Sequence, residues 1–148
     1  MKQSRCLLVL LLVTGWSLVV GGALAADFTD NGDGTVTDYD TILVWQQGES
    51  DRKTWESALT YCEGLTLGGQ SDWRLPNFKE LQSIVDYTRH SPAINITYFA
   101  NAFSLDYWSS TSSTNTTSYA VAVNFSRGWS HGSGKGDSYY VRCVRGGQ

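Results

Sequence analysis

The sequence is poor in proline, cysteine and histidine, with 2, 3 and 2 of them among 148 residues. So few prolines exclude a collagen-like chain, and so few cysteines exclude a disulfide-dense miniprotein. Acidic side chains outnumber basic ones by 14 to 11 and no basic run occurs. This balance disfavours nucleic-acid binding, which depends on phosphate neutralisation. What remains is a chain of the right length for one domain.

The only long apolar run lies at the N-terminus and predicts a secretory signal peptide. Two basic residues precede the apolar residues 7–20, and Ala23-Leu24-Ala25 supplies the small residues that signal peptidase recognises. The run is shorter than the roughly 20 residues that a bilayer core requires, so stable membrane insertion is not expected. We therefore expect a signal peptide over residues 1–25, cleaved near Ala25, and a secreted or periplasmic domain over residues 26–148.

Two cysteines, Cys62 and Cys143, remain after the predicted cleavage. An even pair in an oxidising compartment predicts one disulfide. The bond would close a loop of about 80 residues, which chain-entropy estimates value at roughly 4 kcal/mol.

Charge is distributed unevenly along the predicted domain. Residues 27–72 hold 10 acidic and 2 basic side chains, whereas residues 127–148 hold 1 and 4. The basic excess near the C-terminus is compatible with a local site for an anion.

Periodicity predicts an α+β fold of a β-hairpin, two helices and a C-terminal antiparallel sheet. Turn-forming residues at 30–34 precede β-branched and apolar segments, which indicates the hairpin. Helical spacing predicts one helix after Thr54, with Cys62 on its buried stripe, and another after Asn77. Asn77 and Glu80 have the spacing of a capping box. Residues 88–106 show no period and are expected to form a long ordered loop.

Alternation predicts the strands of the C-terminal sheet. The large apolar side chains at positions 119, 121, 123 and 125 are expected to share one face. Residues 139–144 are expected to form one strand with Val141 and Cys143 on one face and Arg142 on the other. A bond between the two cysteines would tie the first helix to this strand.

A cluster of oxygen-bearing side chains near the N-terminal turn allows two interpretations. Asp30, Asn31, Asp33 and Asp38 are residue types that bind Ca²⁺, but their spacing does not fit an EF-hand loop. The same residue types form turns without any metal. We favour a metal-free turn and expect no cofactor, with a Ca²⁺ site as the alternative.

The segment 126–131 combines an aromatic ring with hydrogen-bond donors, a composition typical of sugar- or protein-binding surfaces. A tryptophan that only covers the sheet is the alternative. His90 and His131 are the only histidines, and the usual nucleophile and metalloprotease motifs are missing, so no enzyme is expected. The predicted ligand-binding residues are Asn124, Arg127, Trp129, His131 and Lys135.

Several segments together resemble the bacterial Lcl C-terminal domain family, a domain of unknown function named after a collagen-like adhesin. Trp-Arg-Leu-Pro-Asn and Arg-Cys-Val-Arg are the most specific blocks. The segments that carry the resemblance are residues 31–36, 55–62, 71–77, 107–111 and 140–145.

The resemblance implies a C-type-lectin-like fold, close to that of formylglycine-generating enzymes. It implies a secreted or periplasmic, adhesin-like binding module that recognises a glycan or a protein on a surface. The sequence lacks both the reactive cysteine pair of formylglycine-generating enzymes and the calcium-binding triplets of carbohydrate-binding C-type lectins. A degenerate enzyme of the formylglycine-generating type, a metal-dependent enzyme and a structural envelope protein are the alternatives.

Overall fold

A computed structural model describes residues 27–146, so the predicted signal peptide lies outside the described residues. The described chain is mostly β with two short helices, in agreement with the α+β class. No described helix is long and apolar enough to cross a membrane. The elements are β1 (Phe28–Asp30), β2 (Thr35–Asp38), β3 (Leu43–Gln46), β4 (Ser50–Lys53), α1 (Trp55–Glu63), α2 (Phe78–Ser83), β5 (Asp106–Ser112), β6 (Tyr119–Asn124), β7 (Trp129–Gly134), β8 (Tyr139–Val141) and β9 (Val144–Gly146).

The first sheet has the antiparallel order β1-β2-β3-β9. It contains the predicted hairpin, since β2 and β3 pair with Val36 opposite Trp45. Strand β9 adds to β3, with Val144 opposite Trp45. The end of the described chain therefore pairs with strands near its beginning.

The second sheet has the order β4-β8-β5-β6-β7. Its strand pairs are antiparallel except β5 and β8, which are parallel at Tyr107 and Tyr140. The expected C-terminal antiparallel sheet is therefore found except for this one parallel pair. The predicted strand over residues 139–144 is divided, because β8 belongs to the second sheet and β9 to the first. Arg142 and Cys143 lie at the crossing point between the sheets.

Both predicted helices form, and their starts differ in chemistry. Thr54 is the N-cap of α1, but its hydroxyl bonds the Ser57 hydroxyl rather than a backbone N–H group. Asn77 caps α2 in the predicted capping box with Glu80. The predicted stripe of α1 is confirmed, with Ala58 and Cys62 buried.

The predicted disulfide joins Cys62 of α1 to Cys143, with 5.5 Å between the two Cα atoms. Both cysteines are completely buried in a core between α1 and the second sheet. The bond fixes α1 to the crossing point between the sheets. The other buried members of this core are Ala58, Trp73, Leu75, Trp108, Ala120, Ala122 and Val141.

Strand β6 corrects the expectation of one large apolar face. Ala120 and Ala122 are fully buried against the disulfide core, while Tyr119 remains 45% exposed. Val123 and Phe125 are buried in another core, which α2 and the first sheet share. The second sheet is thus covered on both faces, and the small side chains of β6 face the disulfide core. The expected loop is confirmed: residues 84–105 contain no helix or strand, yet Ala93 and Phe99 are buried.

Arg142 is a charged side chain in the interior, only 1% exposed. One terminal nitrogen donates hydrogen bonds to the carbonyl oxygens of Gln46, at 2.8 Å, Gln47 and Gly48. The other donates to the carboxylate of Glu49. The guanidinium also lies 4.8 Å from the ring centroid of Phe99. One arginine therefore organises the whole connection between β3 and β4.

The Trp-Arg-Leu-Pro-Asn block owes its structure to a second ion pair. Two nitrogens of Arg74 donate to the two carboxylate oxygens of Glu80, at 2.7 and 2.8 Å. The backbone N–H of Asn77 donates to the same carboxylate. Burial alone would raise the pKa of Glu80, but the hydrogen bonds from Arg74 and Asn77 outweigh it and hold the pKa below its ordinary value.

We expect Glu80→Gln to lower the free energy of unfolding by about 1 kcal/mol at pH 7, because the amide oxygen can keep the hydrogen bond from the Asn77 N–H, whereas the charge and one of the two hydrogen bonds from Arg74 are lost. A carboxylate with a lowered pKa stabilises the fold above its unfolded pKa, and this contribution is lost as the pH falls through the folded pKa. Urea unfolding should therefore show a difference that shrinks below about pH 4.5. Glu63→Gln, at an exposed position, serves as the control, and an equal effect there would contradict the assignment.

Arg142→Met should lower the free energy of unfolding by about 3–5 kcal/mol, because it leaves Glu49 and three carbonyl oxygens without their donor. Urea unfolding measures the loss. The double variant Arg142→Met/Glu49→Gln should recover part of it, since the buried charge is then gone. Arg145→Met is the matched control, because Arg145 pairs with the exposed Asp72. A loss as small as that of the control would refute the role given to Arg142.

Candidate functional site

A half-exposed tryptophan and a histidine form the centre of the candidate surface. Trp129 and His131 lie two residues apart on β7, so both side chains point to the same face of the second sheet. Their ring centroids are 5.1 Å apart, with an angle of 36° between the planes. The indole is 53% exposed. The surface therefore offers a flat apolar plate held from one side by an imidazole.

Polar groups from two neighbouring strands complete this surface. Asn124 lies opposite both Trp129 on β7 and Asp106 on β5. Its side-chain nitrogen donates to Asp106 Oδ1 at 2.9 Å, and its oxygen accepts from the Ser126 N–H at 2.9 Å. These bonds fix the amide orientation. We call Asp106, Asn124, Trp129 and His131 the indole surface.

Asp106 and His131 face each other without a direct hydrogen bond. His131 Nε2 lies 3.8 Å from Asp106 Oδ1, beyond the usual limit for such a bond. The second nitrogen, Nδ1, is buried and has no hydrogen-bond partner among the described residues. Asp106 and His131 thus offer an acceptor and an imidazole nitrogen, 3.8 Å apart, to a third group that contacts both.

The structure does not bring the other two predicted ligand-binding residues, Arg127 and Lys135, to the indole surface. Lys135 follows the far end of β7, and its Nζ lies 4.0 Å above the ring of Trp55 on α1. Arg127 lies in the turn between β6 and β7 and lines a cleft with residues 87–90. The limits of β7 explain the division, since Trp129 and His131 lie within the strand while Arg127 and Lys135 lie outside its ends, where the alternation no longer holds.

The candidate metal ligands near the N-terminus make hydrogen bonds to groups close to them in the chain. Asp30 accepts from the Gly32 N–H, Asp33 from the Thr35 N–H, and Asp38 from the Asp40 N–H. Asn31 donates to the Thr35 and Thr37 hydroxyls. Within residues 27–146, no group of three or more His, Cys, Asp or Glu side chains is arranged to hold a metal ion. The turn is therefore organised by its own aspartate and asparagine side chains.

Asp106 is the member of the indole surface that the sequence did not reveal. It stands at the end of the aperiodic loop, directly before the Tyr-Trp-Ser-Ser-Thr segment. Its role depends on the pairing of β5 with β6, which brings it opposite Asn124. The only local signal was its position at the border of a motif, and this does not distinguish it from a residue that starts a strand.

Comparison with known proteins places these features in a family. The Lcl C-terminal domain matches residues 34–145, a range that includes the whole indole surface, both cysteines and Arg142. A comparison with curated proteins returned no match. Since the match covers most of the sequence, the chain belongs to the Lcl C-terminal domain family.

Proposed function

We propose that the protein is a secreted or periplasmic lectin-like binding module that recognises a glycan through the indole surface. The observation that carries the proposal is the half-exposed indole of Trp129, which lies beside His131. Asn124 and Asp106 occupy the paired positions on the two neighbouring strands. A large aromatic side chain left this open, with polar groups around it, is typical of a binding site.

The geometry suits a sugar ring better than a flat apolar partner. The face of a pyranose carries C–H groups that pack on an indole, while its rim carries hydroxyl groups. Asp106 accepts hydrogen bonds from such hydroxyls, and His131 offers a nitrogen 3.8 Å from that carboxylate. One apolar plate with a few directed polar groups is the usual composition of a small-ligand site.

Charge favours a neutral glycan at this surface. Asp106 is a carboxylate, and the cations Arg127 and Lys135 point to other places. A sulfate or carboxylate on the ligand would meet Asp106 without a compensating cation, which costs binding free energy. We therefore expect the preferred ligand to be an uncharged sugar.

The lectin-like fold, the signal peptide and an adhesin-like role on a surface are parts of the same proposal. They are supported by the predicted leader over residues 1–25 and by membership of a family named after an adhesin. As part of this proposal, we expect the protein to have no catalytic activity and to bind no cofactor.

Trp129→Ala should abolish binding on an array of neutral glycans, because it removes the stacking plate. In calorimetric titration with the best array glycan, we expect a loss of at least about tenfold in affinity, which corresponds to about 1.4 kcal/mol. Asp106→Asn should lower the affinity for the same glycan, because an amide accepts fewer hydrogen bonds than a carboxylate. The fold should survive both changes, as circular dichroism can verify.

Tyr119→Ala is the matched control, since Tyr119 is an exposed aromatic residue at the other end of the same hairpin. Its binding should equal that of the wild type. Unchanged glycan binding in Trp129→Ala would refute the indole surface as the site. Capture of a protein ligand with no signal from any neutral glycan would refute the glycan as its ligand.

A further inference from the structure

A concave site lies on the other side of the turn between β6 and β7 from the indole surface. It is a cleft of about 360 Å³ lined by Tyr87, Thr88, Arg89, His90 and Arg127. We call these five residues the arginine cleft. It shares no residue with the indole surface, although Arg127 and Trp129 are separated by Gly128 alone.

Two hydrogen bonds and one close contact join the two walls of the arginine cleft. The Ser91 N–H donates to the Ser126 carbonyl at 2.9 Å, and the Tyr87 hydroxyl donates to the Gly128 carbonyl at 3.3 Å. Gly128 has a φ of +80°, and a Cβ at this position would lie 2.3 Å from a methyl carbon of Val85. The turn therefore packs so closely on residues 85–87 that only glycine fits. These contacts hold the two walls of the cleft together.

The two arginines of the cleft have different partners. Arg89 Nε donates to Asp86 Oδ2 at 2.8 Å, which leaves its terminal nitrogens directed elsewhere. The Thr88 hydroxyl and the Arg89 guanidinium hold the pKa of Asp86 below its ordinary value, so Asp86 stays ionised and neutralises Arg89. Arg127 has no acidic partner within 4 Å among residues 27–146. Of the two arginines, Arg127 therefore contributes the one positive charge that no neighbouring carboxylate compensates.

We propose that the arginine cleft binds a carboxylate group. A single excess positive charge balances a monoanion, whereas a dianion such as phosphate would leave excess negative charge beside Asp86. The planar fork of Arg127 matches the two oxygens of a carboxylate. Beside it, the ring of Tyr87 is 65% exposed and offers an apolar surface to the body that carries the carboxylate. An acidic sugar and a peptide C-terminus both present this chemistry.

The test is a titration of the isotope-labelled protein, followed by amide and side-chain NMR signals. Sodium galacturonate and N-acetyl-glycylglycine are the two carboxylate probes, with methyl galactoside and the amidated peptide as their neutral counterparts. All titrations are made at one ionic strength. We expect signals of Tyr87, His90 and Arg127 to shift and saturate with at least one carboxylate and with neither neutral counterpart. The probe that binds more tightly identifies the source of the carboxylate.

Arg127→Ala should weaken binding of the carboxylate by about fivefold, the upper end of the range for an exposed ion pair. Arg52→Ala is the matched control, because Arg52 is an exposed arginine on β4 that bonds the Ser138 carbonyl. Trp129→Ala should leave this titration unchanged, so failure here is distinguishable from failure of the glycan proposal. Saturation by sulfate at equal or lower concentration, or equal binding by Arg127→Ala and the wild type, would overturn the proposal.

Discussion

The buried guanidinium of Arg142 is the constraint on which the rest of the structure depends. It stands where the chain leaves the second sheet for the first, and it binds the carbonyl groups that connect β3 to β4. A charge this deep is tolerated only because Glu49 and these carbonyls satisfy its donors. The neighbouring Cys143 then ties α1 to the same point. Two sheets and a helix thus meet at one dipeptide.

This arrangement determines where a ligand surface can form. Because α1 is fixed over the second sheet, the core that they share also encloses Ala120 and Ala122 on β6. The same face of the sheet continues to Asn124 and Trp129, which are not fully covered. The indole surface is therefore the continuation of a core face at the place where the covering layer ends. Its polar groups, such as Asp106, lie in the part of this face that is open to solvent.

A single turn separates two surfaces of different charge. On one side of Gly128, Trp129 lies on the surface that contains the carboxylate of Asp106, for which we propose a neutral glycan. On the other side, Arg127 faces a cleft with one excess positive charge. The basic excess of the C-terminal segment is thus not spread over one site. Lys135 lies over Trp55, and Arg142 is buried. Of these three cations, Arg127 is therefore the one that an anion in the arginine cleft would contact.

The sequence by itself determined the local elements and the cross-link. Short-range spacing predicts the hairpin turn, the capping box of Asn77 and the buried stripe with Cys62. Because only two cysteines remain in the predicted domain, the sequence also predicts that they bond to each other. Only the tertiary structure decided that residues 139–144 divide between two sheets, that Arg142 lies inside, and that Asp106 joins Trp129. These outcomes depend on which distant strands pair, and a period of two residues places a side chain on a face without specifying what covers that face.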